Sequence, residues 1–257
     1  MSAAEPTPQS PRLGVNIDHI ATLRELRGTP YPDILWAARA VAAGGAASLT
    51  IHLREDRRHI QDADVKLLRE QSPLPLNLEM SCDPEIVSIA LKIRPEWVCL
   101  VPERREEVTT EGGLDLKKNR LKILKTIARL KKERIKTSLF VEPALQAVRS
   151  GQALGADALE FHTGRYAKAS QSKMAKKAEK ELERLQEAAG FAEQLGMGVH
   201  AGHGIDYVNV RDLARLRSIK HHLLFQEFNI GHSIVCKATE VGLETAVRQM
   251  KVLITAP

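Results

Sequence analysis

Aromatic side chains are scarce: five Phe, three Tyr and two Trp make up 4% of the 257 residues. Few groups are available to stack on bases, which argues against a nucleic-acid surface. That matters because the formal charge is +6. The excess is local, in residues 117–136 (KKNRLKILKTIARLKKERIK) and 168–180, both helical in period. Leu121, Leu124, Ile127 and Leu130 are predicted to mark the buried face of the first, leaving its lysines solvated. Cysteine is also sparse. Cys82, Cys99 and Cys236 are widely spaced and form no CxxC, which excludes a disulfide scaffold or zinc ribbon and fits a reduced, cytoplasmic setting. No apolar run approaches the roughly 18 residues of a membrane helix. Residues 1–12 combine Pro, Ser and Glu without an apolar stretch; they are expected to be a disordered tail rather than a signal peptide, ahead of a barrel domain over 13–257.

What is present is a recurrence of short strand-like runs: Leu13–Ile20, Ser48–Leu53, Leu74–Met80, Trp97–Pro102, Lys136–Val141, Ala158–Thr163, Gly198–Ala201 and Phe228–Ile234. Helical patterns such as Asp33–Ala43, Asp62–Gln71 and Pro84–Ile93 separate them, with Asp83 and Pro84 as an N-cap and first-turn pair. Gly44, Gly155 and Gly196 fall where helices should stop. Eight β-then-α units predict a (β/α)8 barrel. An internal echo agrees: GAASLTIH (45–52) matches GADALEFH (155–162) and leads into the second and sixth strands, half a barrel apart.

Side chains two apart share a strand face. Asn16/Asp18, Thr50/His52, Asn77/Glu79 and Glu160/His162 are polar pairs at that spacing, and their neighbours Ile17, Ile51, Leu78, Leu159 and Phe161 are apolar. The polar face should therefore line the barrel, where branched aliphatics usually sit. A single buried polar residue is ordinarily a satisfied core group. Four strands offering such groups at one register point to a site, because each would otherwise cost stability.

Two glycine-histidine turns, VHAGHG (199–204) and NIGHS (229–233), follow strands seven and eight, where barrels often bind phosphate. Arg24, Arg27, Arg54, Arg57 and Arg58 lie past strands one and two, and at least two of them are expected to face solvent. His52, Glu79, Glu160 and His203 can exchange protons near neutrality. Neither Lys136 nor Lys237 stands where a Schiff base would form, and with no HExxH and no H-x-H on strand one, no metal is expected.

These residues resemble a known family, the pyridoxine 5′-phosphate synthases of the deoxyxylulose-phosphate-dependent vitamin B6 pathway. The stretches are GVNIDHIATLRELRGTPYPD (14–33), HLREDRRHI (52–60), NLEM (77–80), LVPERREEVTTEGGLD (100–115), EFHTGRYA (160–167), AGHG (201–204) and NIGHSI (229–234). The resemblance implies a barrel assembled as an octamer, without metal or organic cofactor. It would condense 3-amino-2-oxopropyl phosphate with 1-deoxy-D-xylulose 5-phosphate to pyridoxine 5′-phosphate, phosphate and water. It implies proton acceptors at His52 and Glu79, a proton donor at His203 and a transition-state stabiliser at Glu160. Asn16, Arg27, Gly204, Gly231 and His232 would contact the amino-oxopropyl phosphate. Asp18, His19, Arg54, His59 and Thr109 would contact the deoxyxylulose phosphate. Glu103–Asp115 is expected to be a lid over the substrates. His200, Glu142 and Cys236-Lys237 depart from the family pattern, and none is expected to touch the acid–base set. The alternatives are another phosphosugar isomerase or aldolase, and a non-catalytic barrel that holds a phosphate ligand.

Overall fold

The computed structural model describes residues 10–102 and 112–255. Eight parallel strands close into a barrel in sequence order. They are β1 (Arg12–Asn16), β2 (Ser48–His52), β3 (Leu76–Met80), β4 (Trp97–Leu100), β5 (Lys136–Val141), β6 (Ala158–His162), β7 (Gly198–Gly202) and β8 (Glu227–Ile230). The helices following β1 to β4 are α1 (Asp18–Arg27), α2 (Ile34–Ala43), α3 (Asp62–Gln71), α4 (Pro84–Ile93) and α5 (Arg120–Lys132). After β5 come α6 (Leu145–Leu154), α7 (Gly164–Gln171), α8 (Ala175–Gln194), α9 (Val210–Ala214), α10 (His232–Val241) and α11 (Leu243–Thr255). Thr109 and most of the expected lid lie outside the described residues, as do residues 1–9. No described helix is long and apolar enough to cross a membrane.

Strand alternation divides the barrel cleanly. Val15, Leu49, Ile51, Leu78, Val98, Leu159, Phe161 and Phe228 are fully buried beneath the helices. In-register neighbours facing inward are Asn16 and Thr50, Thr50 and Asn77, His52 and Glu79, then Glu160 and His200. The echo matches position for position, since Gly45 and Gly155 both take positive φ, 89° and 80°, ahead of β2 and β6. Caps follow the sequence. Asp33 Oδ1 accepts from the amides of Leu35 and Trp36 at 2.7 and 2.9 Å, and Asp83 Oδ1 accepts from Glu85 at 2.8 Å.

Three expectations change. The first and last strands end earlier than predicted, because Asp18 and His232 already begin helices. Asn16 Oδ1 accepts the Asp18 amide at 2.9 Å, a side-chain turn that breaks the strand. On α5 the buried residues are Ile123, Thr126, Ile127 and Leu130, whereas Leu121 and Leu124 are exposed. The run from Lys168 is two helices, broken where Lys173 takes φ 55°.

Candidate active site

The C-terminal ends of β1, β2 and β3 bring three ionisable side chains together. The Asp18 carboxylate accepts from Asn16 Nδ2 and from the His52 amide, each at 2.9 Å, so it is clamped between two strand ends. His52 Nδ1 lies 3.9 Å from Glu79 Oε2. One ligating atom each from Asp18, His52 and Glu79 lies within 4.8 Å of the other two, so the trio could close on a divalent cation as well as exchange protons. Burial, then the charges of Glu160 and Asp18, push the Glu79 carboxyl well above its usual range. Burial raises Asp18 too, against the pull of His52.

Deeper in the barrel a polar chain crosses four strands. Asn77 Nδ2 donates to Thr50 Oγ1 at 3.3 Å, Thr50 Oγ1 to Asn229 Oδ1 at 3.1 Å, and Asn229 Nδ2 to Glu160 Oε2 at 2.7 Å. Among the described residues, Asn77 Oδ1 is buried without a hydrogen-bond partner. Cys99 Sγ approaches Glu160 Oε2 at 3.8 Å. Room for this chain comes from glycine. A Cβ on Gly202 would stand 2.2 Å from Glu160 Oε1, and one on Gly14 would stand 2.1 Å from Asn229 Oδ1.

Burial, aided by the Glu227 charge and opposed by the Asn229 bond, pushes the Glu160 carboxyl up to about 7. The folded state therefore holds a proton that the unfolded chain releases near 4.5. The stability from this group is complete below about 4.5 and is lost as pH rises through about 7. Urea midpoints of wild type should fall across that window, and those of Glu160→Gln should fall less. Equal slopes would refute the raised value.

The glycine-histidine turns follow β7 and β8 at the same end of the barrel. Gly231 lies so close to β1 that a Cβ there would be 2.9 Å from Asn16 Cβ. It is the N-cap of α10, and among the described residues no side chain caps it, which suits the helix's first amides to an anion. The His232 ring packs 4.9 Å from that of His19, and burial with the His232 charge lowers the pKa of His19. On the other turn His203 takes φ 73° and Gly204 φ 77°.

His59 lies 6.2 Å from His52, ring to ring. Burial and then the charges of His52 and Arg54 hold its pKa near 4, so it is neutral at pH 7, and its Nδ1 accepts the Ile60 amide at 2.9 Å. Arg54 donates to Asp56 at 3.2 Å beside it. Arg27 is not brought in: it is exposed at the far end of α1, about 13 Å along the axis from Asp18 at ~1.5 Å per residue. Arg57, another of the arginines past strand two, is ion-paired to Asp62 at 2.8 Å and Glu85 at 2.5 Å.

Sequence reasoning gave Arg24 no specific partner. Its guanidinium forks onto both oxygens of Asp64, at 2.8 and 2.6 Å, and reaches the His59 carbonyl at 3.3 Å, which ties the His59 segment to α1. Arg24→Leu strands a nearly buried carboxylate and should cost about 3 kcal/mol. A denaturant titration showing under about 1 kcal/mol would mean the pair holds nothing. Asn229 and Cys99 were also missed, as their roles depend on which strands the barrel sets opposite each other.

Parallel strands closed around polar side chains, with His52, Glu79 and two histidine-bearing glycine turns at their C-terminal ends, define a (β/α)8-barrel enzyme of acid–base type. Residues 13–256 match the family described as pyridoxal phosphate biosynthesis protein PdxJ, and the chain belongs to that family. It is 50% identical over 242 residues to a pyridoxine 5′-phosphate synthase of Bdellovibrio bacteriovorus, covering 93% of this chain and 96% of the relative. It is 48% identical over 246 residues to that of Trichlorobacter lovleyi, covering 96% and 99%. Among solved structures it is similar to 3-hexulose-6-phosphate synthase, with TM-score 0.60, 14% identity and coverage of 95% and 100%. It is also similar to Mycobacterium tuberculosis tryptophan synthase, with TM-score 0.62, 11% identity and coverage of 97% and 94%. At those identities the likeness concerns the fold alone.

Proposed function

We propose that the chain forms pyridoxine 5′-phosphate by condensing 3-amino-2-oxopropyl phosphate with 1-deoxy-D-xylulose 5-phosphate. The observation that carries this reading is the Asp18–His52–Glu79 cluster at the ends of β1, β2 and β3, in a barrel whose β7 and β8 lead into glycine-histidine turns, within a family of such synthases. An amine meeting a ketone loses water to give an imine, which tautomerises. Phosphate then leaves, the ring closes and dehydration yields the aromatic product. Every step moves a proton. His52 and Glu79 serve as acceptors, His203 as donor, and Glu160 stabilises the charged transition state from the barrel interior.

Asn16, Gly204, Gly231 and His232 hold the amino-oxopropyl phosphate, and the α10 N-terminus supports an anion there. Asp18, His19, Arg54 and His59 hold the deoxyxylulose phosphate, joined by Thr109. Neutral His19 and His59 suit hydrogen bonds to sugar hydroxyls. Arg27 belongs to the amino-oxopropyl phosphate set only through a neighbouring subunit or a movement of α1. The same reading makes the protein a cytoplasmic homo-octamer. The exposed apolar side chains Leu26, Tyr31 and Trp36 support a subunit contact on α1, α2 and the turn between them, and light scattering that finds a stable monomer would remove it. The reaction is tested by omission. Phosphate release should require both substrates, one phosphate per pyridoxine 5′-phosphate formed. Turnover of a single sugar phosphate would favour an isomerase or aldolase instead.

A further inference from the structure

A second histidine–carboxylate pair lies outside the residues given roles above. His162 ends β6 at the position that the echo makes equivalent to His52 on β2. It is buried, at 3% exposure, and its Nδ1 is 2.7 Å from Glu142 Oε1. The other Glu142 oxygen accepts from Arg184 of α8 at 2.6 Å and lies 3.8 Å from Arg165 of α7. Burial would raise this carboxyl, but the bonds from His162 and Arg184 outweigh it and hold the value near 2, so Glu142 is ionised across the working range. An ionised acceptor at Nδ1 fixes the proton there and leaves Nε2 on the opposite side of the ring.

The His162 ring packs against that of His203. The two rings are 4.8 Å apart, and Phe140 packs edge-on to both, at 5.4 and 6.5 Å. A Cβ on Gly164 would be 2.6 Å from His162 Nε2 and 3.1 Å from His203 Cδ2, so the glycine lets both rings sit against the start of α7. The His203 backbone is pinned separately: Thr163 Oγ1 donates to its carbonyl at 2.6 Å, holding a positive φ that is uncommon outside glycine. Backbone and ring are thus each over-determined, as strained residues at working sites require.

We propose that Glu142 and His162 form a positioning dyad that orients the His203 imidazole for proton donation. This rests on the reading of His203 as the proton donor. The carboxylate fixes the tautomer and tilt of His162, and the His162 ring fixes His203. Glu142 and His162 are positioning residues, since neither is placed against substrate. Glu142 was one of the departures expected to stand clear of the acid–base set; it touches none of that set directly and reaches His203 only through His162. The charged groups around the dyad are Glu142 after β5 and, when protonated, His203 against His162, and Arg165 on α7 and Arg184 on α8 against Glu142.

The test is steady-state kinetics of the full-length enzyme with both substrates, comparing Glu142→Gln, Glu142→Asp, His203→Ala and the Glu142→Gln/His203→Ala double variant. Carboxylates that orient histidines are typically worth about 10- to 100-fold. Glu142→Gln should lose that much in kcat with KM within about twofold, and should move the His203 limb of the kcat–pH profile to lower pH. Glu142→Asp, which restores the charge, should recover most of the rate. In the His203→Ala background Glu142→Gln should cost nothing further, because the dyad acts through the missing ring. His162→Asn, with its melting transition checked, is the second variant, with the same loss expected. If His203→Ala is slow while Glu142→Gln keeps kcat within about twofold, or if the two losses multiply, the dyad is overturned. If His203→Ala itself keeps the wild-type rate, the donor assignment falls and the dyad falls with it.

Discussion

His52→Ala should lower kcat by about 10³-fold, within the range that positioned general acids and bases contribute. The imidazole meets Glu79 at 3.9 Å and its amide is held by Asp18, so its loss removes a base without loosening the strand end. Glu79→Gln should produce a comparable loss by a different route. Burial and two neighbouring carboxylates keep the Glu79 proton affinity high, which suits a group that must take up and return protons near neutrality. The amide keeps the size and most hydrogen bonds but cannot exchange a proton. The double variant should be little slower than either single one, as expected of groups acting as a unit. Loss confined to KM, with kcat intact, would reduce the cluster to a binding site and revive the non-catalytic alternative.

Gly202→Ala should damage both stability and rate. The added methyl would stand 2.2 Å from Glu160 Oε1 and 3.4 Å from the Asn229 carbonyl oxygen. Glu160 cannot simply swing aside, because it is buried and its other oxygen accepts from Asn229 at 2.7 Å. Moving it breaks a buried hydrogen-bonded chain that runs back through Thr50 to Asn77. Overpacking of this kind costs about 1–3 kcal/mol, and a freed buried polar group a similar amount. A stability loss of about 3 kcal/mol is expected in a urea titration, with kcat reduced through misplacement of Glu160. Wild-type stability in this variant would show that the barrel interior is looser than its hydrogen bonds indicate.

Much of this was legible in the sequence, and for a simple reason. A barrel strand alternates faces, so the pairing of Thr50 with His52 and of Glu160 with His162 against Ile51 and Phe161 states directly which side chains point inward. The echo between β2 and β6 gave the same register twice. Where strands end was less visible. Asn16-Ile-Asp18 keeps strand spacing, yet the Asn16 side chain caps a turn and Ile17, Ile20 and Ala21 carry on in helical spacing. The α5 face was misread because Leu121 and Leu124 fit a three-residue spacing, while Thr126 in fact shares the buried face with Ile123 and Ile127. Contacts across the barrel were not legible at all. Arg24 with Asp64, Asn229 with Glu160 and Glu142 with His162 join residues 40, 69 and 20 positions apart. His200, expected not to touch the acid–base set, stands in register with Glu160 on the next strand but packs its ring 5.3 Å from Trp97.

The most direct measurement is mass spectrometry of the purified, metal-stripped protein incubated with 3-amino-2-oxopropyl phosphate and 1-deoxy-D-xylulose 5-phosphate, beside a folded His52→Ala sample. Pyridoxine 5′-phosphate formed by the wild type and absent from the variant is the predicted result. No product from folded wild type, or equal product from both samples, would contradict the account of this barrel as an acid–base synthase working through His52.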